Sequence, residues 1–195
     1  MKSISALEHI YKKGLFGDYE GKNEDDIIKV LERKNLLIVQ IVQYKNSNIS
    51  LNEIKIDELI LNNDKLKVIF NDDTRILWTG PKSWLLVSTK KDLLKDIQIA
   101  FDQTNFAITD LSHSRAIIEL EGIGVKEVLK KGCPFDFNQL KIGNCANSVF
   151  SGISITIDFI DEKNEKVRIL SLRSFGESLF HHIVDSSLES GYRTI

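Results

Sequence analysis

The sequence predicts an α+β fold made of two pseudo-repeated subdomains, each an antiparallel sheet carrying helices. Three observations predict it. From Ser151 the run SGISITIDFI alternates strictly, with Ile153, Ile155, Ile157 and Phe159 on one face and Ser154, Thr156 and Asp158 on the other, the mark of a half-buried strand. Two segments carry helical spacing instead: Leu93, Leu94, Ile97 and Phe101, then Phe175, Leu179, Ile183, Val184 and Leu188. The same order (strand, short helix, paired strands, capped amphipathic helix) occurs twice, roughly 85 residues apart, as a duplicated layer architecture would require. The expected division is an arm over residues 1–26, a first repeat over 27–105 and a second over 106–195, forming one compact folding unit.

The arm carries Leu7, Ile10, Tyr11, Leu15, Phe16 and Tyr19 among glycines and charges, without sustained periodicity. Apolar groups on so irregular a segment need a surface elsewhere, either a partner, with Phe16 and Tyr19 as contacts, or the arm's own domain. Next, IIKVLERKNLLIVQIVQY reads as two strand-like runs around Lys34-Asn35, and Ile27 to Arg33 also fits a helical turn. A short helix is expected from Leu51 to Ile60. Leu66 to Phe70 and RILWTGPKSWLLVS then read as strands, with a hairpin turn at Gly80-Pro81. Thr89 and Asp92 have the spacing of a capping box before the first amphipathic helix.

The second repeat opens on a polar knot of Asp110, Ser112, His113 and Arg115. It continues as a strand with Ala116, Ile118 and Leu120 on one face and Arg115, Ile117, Glu119 and Glu121 on the other. Gly122-x-Gly124 starts a short helix that stops at Gly132-Cys133-Pro134, since proline lacks an N–H and glycine tolerates a left-handed cap. Phe137 to Ala146 is a polar loop. The strand from Ser151 returns as KVRILSL through a charged turn, and Ser174 with Glu177 has the spacing of a second capping box.

Charge and motifs exclude several functions. Lys+Arg 26 against Asp+Glu 28 gives a net charge of −2, so nothing draws the chain to nucleic acid. No run approaches the ~20 apolar residues that span a bilayer, so no membrane partner is expected. The N-terminus lacks the apolar core of a signal peptide, which predicts a cytoplasmic protein. Cys133 and Cys145 form no CxxC pair and read as small buried hydrophobes. Gly122-x-Gly124 lacks the third glycine of a dinucleotide fingerprint. His181 and His182 point about 100° apart on a helix, one toward the core or a partner and one toward water, so they do not share a metal. Consecutive residues of an extended segment alternate faces, so Asp110, Ser112 and His113 read as a turn cap rather than a nucleophile with its base.

No catalytic, cofactor-binding or metal-binding residue is therefore assigned. What remains is polar and aromatic material suited to an interface: Asp110, His113, Arg115, Phe135, Phe137, Arg173 and Phe175, with Phe16 and Tyr19 of the arm. Arg173, just ahead of a helix N-terminus, gains nothing from the helix dipole, which points it toward an external carboxylate or a partner subunit.

Three stretches carry a family resemblance: DLSHSRAIIELEG…VKEVLKKGCPFDF, LWTGPKSWLLV and RSFGESLFHHI. Together they resemble the gamma subunit of heterotetrameric sarcosine oxidase. More distantly, the chain is similar to the folate-binding domain of the glycine-cleavage T protein and its YgfZ relatives, which implies a T-protein folate-domain-like fold. T-protein-like domains carry Gly-Gly-x-x-Asp-Asp where this chain reads Ser151-Gly152-Ile153-Ser154-Ile155-Thr156, so the acid implicated in folate chemistry is absent. The resemblance implies a non-catalytic accessory subunit of a complex that demethylates sarcosine oxidatively to glycine. It would pack mainly on the folate-handling alpha subunit, with beta and delta subunits completing the assembly. FAD, FMN, NAD, tetrahydrofolate and zinc would then lie in the other subunits. The alternatives are the equivalent subunit of a related N-methyl amino acid dehydrogenase, or a stand-alone folate-binding or aminomethyl-transfer protein.

Overall fold

The computed structural model describes residues 4–23, 26–139 and 141–195; residues 1–3 and 24–25 of the expected arm, and Leu140 of the expected loop, lie outside them. In chain order the strands and helices are β1 (Gly14–Phe16), β2 (Ile28–Glu32), β3 (Leu37–Gln43), β4 (Lys55–Ile56), β5 (Leu59–Ile60), β6 (Val68–Phe70), β7 (Thr74–Gly80), β8 (Ser83–Ser88) and α1 (Leu93–Ala100). They continue as β9 (Phe106–Asp110), β10 (Arg115–Glu121), α2 (Val125–Lys130), β11 (Cys145–Phe150), β12 (Ile153–Asp161), β13 (Lys166–Leu172), α3 (Gly176–Ser187) and β14 (Tyr192–Thr194). Residues Asn35–His113 with Gly143–Cys145 form one compact unit, and the remainder of the chain forms another.

The first unit holds a five-stranded sheet in the order β6-β7-β8-β3-β9, with antiparallel neighbours at β6/β7, β7/β8, β8/β3 and β3/β9. Leu37, Val39, Ile41, Ile76, Trp84 and Leu86 of the sheet pack with Leu93, Ile97 and Phe101, the expected stripe of α1. The Gly80-Pro81 turn joins β7 to β8 and sets Trp78 opposite Trp84. Ile27–Arg33 is no helical turn, since β2 occupies it. Leu51 to Ile60 is not a helix either: after a 3-10 turn at Leu51–Glu53 the chain makes the small β4–β5 hairpin. Asp57 and Glu58 turn that hairpin with left-handed φ of 49° and 68°.

The expected cap at Thr89 fails because its hydroxyl has a better acceptor elsewhere. Thr89 Oγ1 donates to Asp73 Oδ1 at 2.7 Å, and Asp92, at the N-cap of α1, makes no side-chain cap bond. Lys90 meanwhile reaches Asp57 at 2.7 Å, and Thr74 Oγ1 donates to the same carboxylate at 2.6 Å. These partners, Lys90 first, lower the Asp57 pKa. Its stabilisation is therefore full above the unfolded carboxyl value of about 3.9 and lost as pH falls through the lower folded value. Asp57→Asn, which keeps a residue tolerant of the left-handed turn, is expected to cost about 1–2 kcal/mol at pH 7. The difference from wild type should narrow as urea melts are repeated at pH values progressively below the unfolded carboxyl value, and close below the lowered folded one.

The second unit holds a seven-stranded sheet, β1-β14-β2-β10-β13-β12-β11, with the one parallel pair among the described registers at β14/β2. Ile153, Ile155, Ile157 and Phe159 line its core face as the alternation predicts, with Val30, Ile118, Leu120, Val167 and Ile169 beside them. Val125, Val128 and Leu129 of α2 and Leu179, Phe180 and Ile183 of α3 cover that face. The stripe of α3 differs from expectation at both ends, because Phe175 and Leu188 are exposed while Gly176 and Ser187 are buried. A 3-10 turn at Arg173–Phe175 precedes the helix, and its three-residue period throws Phe175 out of the α-helical phase. With Phe175 at the N-cap and no side-chain cap bond, the Ser174–Glu177 box does not form. Gly176 lets α3 approach β10 closely, since a Cβ there would stand 2.9 Å from that of Ala116.

The described part of the N-terminal segment lies on this same unit. Leu7 is in its core, Phe16 stacks on Tyr192 with centroids 5.2 Å apart, and Tyr11 Oη donates to the carbonyls of Val30 and Ile195.

One feature of the pairing sets the unit boundaries. Along the chain β2 runs into β3 and β9 runs into β10, yet β2 pairs with β10 and β9 pairs with β3. The two repeats exchange their leading strands. The compact units accordingly divide after Lys34 and after His113, rather than where the sequence repeats begin.

Candidate functional site

In the five-stranded unit the Asp110 knot is a turn. The amide and hydroxyl of Ser112 donate to Asp110 Oδ1 at 2.9 and 2.6 Å, and Ser112 Oγ accepts from the Ile38 amide at 3.0 Å. Carboxylate and hydroxyl are both spent on shaping the backbone, and His113 points into solvent. This is the structural role the sequence assigns to the pair, and it leaves no activated nucleophile.

In the seven-stranded unit the turn that carries Arg173 and Phe175 is seated at the start of β10, where Arg115 lies. Arg115 opens β10 opposite Leu172, the last residue of β13, so their side chains share a face. The Arg173 amide donates to the Ser114 carbonyl at 2.9 Å, which seats the 3-10 turn against the start of β10. The Arg173 guanidinium donates to the Ile4 carbonyl. Phe175 and Leu172 remain exposed beside it. Burial lowers the Arg115 pKa.

The other candidates lie apart from this group. Phe135 and Phe137 meet edge to face at 5.3 Å, but Phe137 is fully buried and belongs to the core; the loop is too tightly packed to leave it a surface. Phe16 and Tyr19 are half-buried on the N-terminal segment.

The most heavily charged part of the unit was not visible as a site in the sequence. Arg168 Nε and Nη2 both bond Glu119 Oε1, at 2.9 and 2.7 Å, and both residues are buried. Arg33 stands 3.4 Å from the same oxygen, and Lys166 links Glu119 to Glu121 at 3.8 and 3.0 Å. Buried Asp158 stands opposite Arg168 in the register. The alternation of β10 puts Glu119 on the polar face, but only the strand order brings Arg168 beside it.

Chemistry at the remaining positions is limited. Ser151 and Gly152 turn the chain between β11 and β12. Ile155 points into the core and the Thr156 hydroxyl donates to Asn147 at 2.9 Å, so neither presents an acid where T-protein-like domains have one. These residues do not fit a folate-handling carboxylate, and no step through folate is derived. Both His181 and His182 are exposed, so of the two places expected for one of them, the core or a partner, the core is taken by Phe180 instead. Among the described residues no cluster of three metal-ligating side chains occurs, and no helix is long and apolar enough to cross a membrane.

Cys133 and Cys145 are buried free thiols. Burial raises the Cys133 pKa, against the lowering effect of its bond to Ser148 Oγ at 3.2 Å. Alkylation of the folded chain at neutral pH is expected to be slower than in denaturant by roughly a hundredfold, read by mass spectrometry of timed quenches. Fast labelling of Cys133 would instead point to a reactive thiol.

A comparison with protein families decides the assignment: residues 58–189 match the model described as the sarcosine oxidase gamma subunit family. The chain belongs to that family. Its gamma-subunit relatives include one from Corynebacterium sp. (strain U-96), 32% identical over 117 residues, and one from Arthrobacter sp, 24% identical over 125 residues. These alignments cover 60% and 64% of this chain but only 57% and 62% of the relatives' own lengths. Among solved structures, a chain of the heterotetrameric sarcosine oxidase from Corynebacterium sp. U-96 in complex with pyrrole 2-carboxylate superposes with a TM-score of 0.82 at 21% identity. That match spans 95% of this gamma-family chain and 96% of the other. The glycine cleavage system aminomethyltransferase T from Bartonella henselae superposes with a TM-score of 0.61 at 12% identity, over 87% of this chain and 48% of that one. The gamma-family chain thus has the α+β, T-protein-like fold that its sequence predicts.

Proposed function

We propose that this chain is a non-catalytic accessory subunit of a heterotetrameric sarcosine oxidase that demethylates sarcosine oxidatively to glycine, packed on the folate-handling alpha subunit. The observation that carries the reading is the family match over residues 58–189. The site chemistry supports it. Asp110 and Ser112 are consumed in a turn, and the positions of the T-protein acids are filled by core Ile155 and hydrogen-bonded Thr156. In this reading FAD, FMN, NAD, tetrahydrofolate and zinc belong to other subunits, and beta and delta subunits complete the assembly. The complex works in the cytoplasm, where the two buried thiols stay reduced. The interface draws on Arg115, Arg173 and Phe175, with Asp110, His113, Phe135, Phe16 and Tyr19 as further candidates. The first repeat (27–105) and the second (106–195) serve as one folding unit, and the N-terminal arm, residues 1–26, docks on the partner.

The test is gentle purification of the tagged chain from its native host. The expected result is a yellow complex with larger flavin-bearing subunits that consumes oxygen in the presence of sarcosine. Preference for another N-methyl amino acid would move the assignment to a related dehydrogenase. Turnover by the isolated chain, or saturable quenching of Trp78 and Trp84 on folate titration, would overturn the accessory role.

A further inference from the structure

Arg115 differs from four other cations of the same unit, which have acids at hand. Arg168 and Arg33 share Glu119, Lys166 bridges Glu119 and Glu121, and Lys29 reaches Glu121 at 3.4 Å. Arg115 lies on the same face of β10, two residues along from Ile117 and four from Glu119, and is half-buried. Among the described residues no carboxylate or hydrogen-bond acceptor meets its guanidinium. Partial burial weakens the hydration of a cation, and the isolated chain returns nothing for that loss.

The segments that meet this end of β10 carry exposed apolar side chains. Leu172, its partner across the strand pair, is 46% exposed, and Phe175 is 47% exposed at the N-cap of α3. Arg173, between them in sequence, holds the Ile4 carbonyl, and Ile4 itself is 62% exposed. A half-buried arginine whose cross-strand neighbour is an exposed leucine has the composition of a protein-interface anchor, in which apolar carbon excludes water from a charge pair.

We infer that Arg115 is a docking anchor, receiving a carboxylate from an acidic residue of another subunit while an apolar side chain of that subunit packs on the exposed Leu172. The occupant is a different polypeptide of the complex rather than a second copy. This rests on the subunit reading given above, and the charge complementarity singles out an acidic segment. A guanidinium matches a carboxylate with two parallel bonds, whereas a lysine at the same place would offer a point charge only.

The experiment compares the full-length wild type with Arg115→Met and Arg115→Lys. Each is titrated against the other subunits of the complex purified from a strain lacking this chain, and each is melted alone. For Arg115→Met the expected result is affinity at least tenfold weaker, with a melting temperature of the isolated chain equal to or above that of wild type. Arg115→Lys should recover part of the affinity. Those opposite signs separate a docking anchor from a folding residue, because a structural role would lower both. Unchanged affinity of Arg115→Met overturns the inference while leaving the subunit reading intact. Equal losses in the two variants, or a fall in melting temperature that accounts for the lost affinity, also overturn it. A wild-type chain that binds none of the subunits overturns the subunit reading and the anchor together. A homodimer dissolved by Arg115→Met would replace the proposed partner with a second copy.

Discussion

Glu119→Ala is expected to destabilise the chain by about 3–5 kcal/mol, because it takes the paired carboxylate from buried Arg168 rather than merely deleting a contact. Glu119 is 3% exposed and accepts two bonds from Arg168 on one carboxylate oxygen. Arg33 and Lys166 converge on the same group. Removing the carboxylate leaves three positive charges on one face of the sheet, of which Arg168 cannot rehydrate without opening β10 from β13. Arg168→Leu should be costly for the converse reason, leaving Glu119 to the half-exposed Arg33 and Lys166. The double replacement Glu119→Ala with Arg168→Leu should cost less than the two single changes together, with a coupling of about 1–3 kcal/mol. Urea midpoints of the four proteins give the cycle. Additive losses would mean that the pair, despite its geometry, contributes nothing beyond the packing of its carbon atoms.

Trp84→Ala should cost a similar amount, about 3–5 kcal/mol, by emptying the core of the five-stranded unit. The indole is 1% exposed and sits in a cluster with Ile76, Leu86, Leu93, Ile97, Phe101 and Phe106. Its Nε1 also donates to the Asn62 carbonyl at 2.6 Å, fixing the loop after β5. Trp84→Phe separates the two contributions. It keeps most of the apolar volume and orphans that carbonyl, for an expected loss of about 1–3 kcal/mol. Trp78 remains as the fluorescent reporter of unfolding in both variants. A loss below about 1 kcal/mol for Trp84→Ala would show that the site collapses without cost, contrary to close packing between sheet and α1.

Both sites had a sequence signal, but of different quality. Trp84 was legible only as part of a strand flanking the Gly80-Pro81 turn; the run Trp84 to Val87 is apolar throughout, so the face its ring takes is set by the packing of the sheet on α1. Glu119 was legible only as one of the residues on the polar face of β10. Its partner Arg168 is 49 positions away, and nothing local announces that pairing. The caps show the same limit from the other side. Thr89 and Ser174 have the right residues at the right spacing, but Thr89 finds Asp73 across the hairpin and Ser174 falls in a 3-10 turn. A capping motif states what a helix terminus could do if no stronger acceptor or tighter turn competed for it.

The sequence by itself determined the elements whose cause is local: the period-two run from Ile153, the stripe of α1, the Gly-Pro hairpin, and the repeated order that gives the α+β class. It also carried the family, because three short stretches keep their residue types in order. Only the tertiary structure decided which strands pair, and therefore that β2 and β9 exchange places between the repeats. Backbone N–H and C=O groups are the same at every residue, so hydrogen bonding alone does not distinguish one strand neighbour from another. For that reason the buried Glu119–Arg168 pair, and Arg115 left without an acid of its own, became visible only once the sheet was assembled.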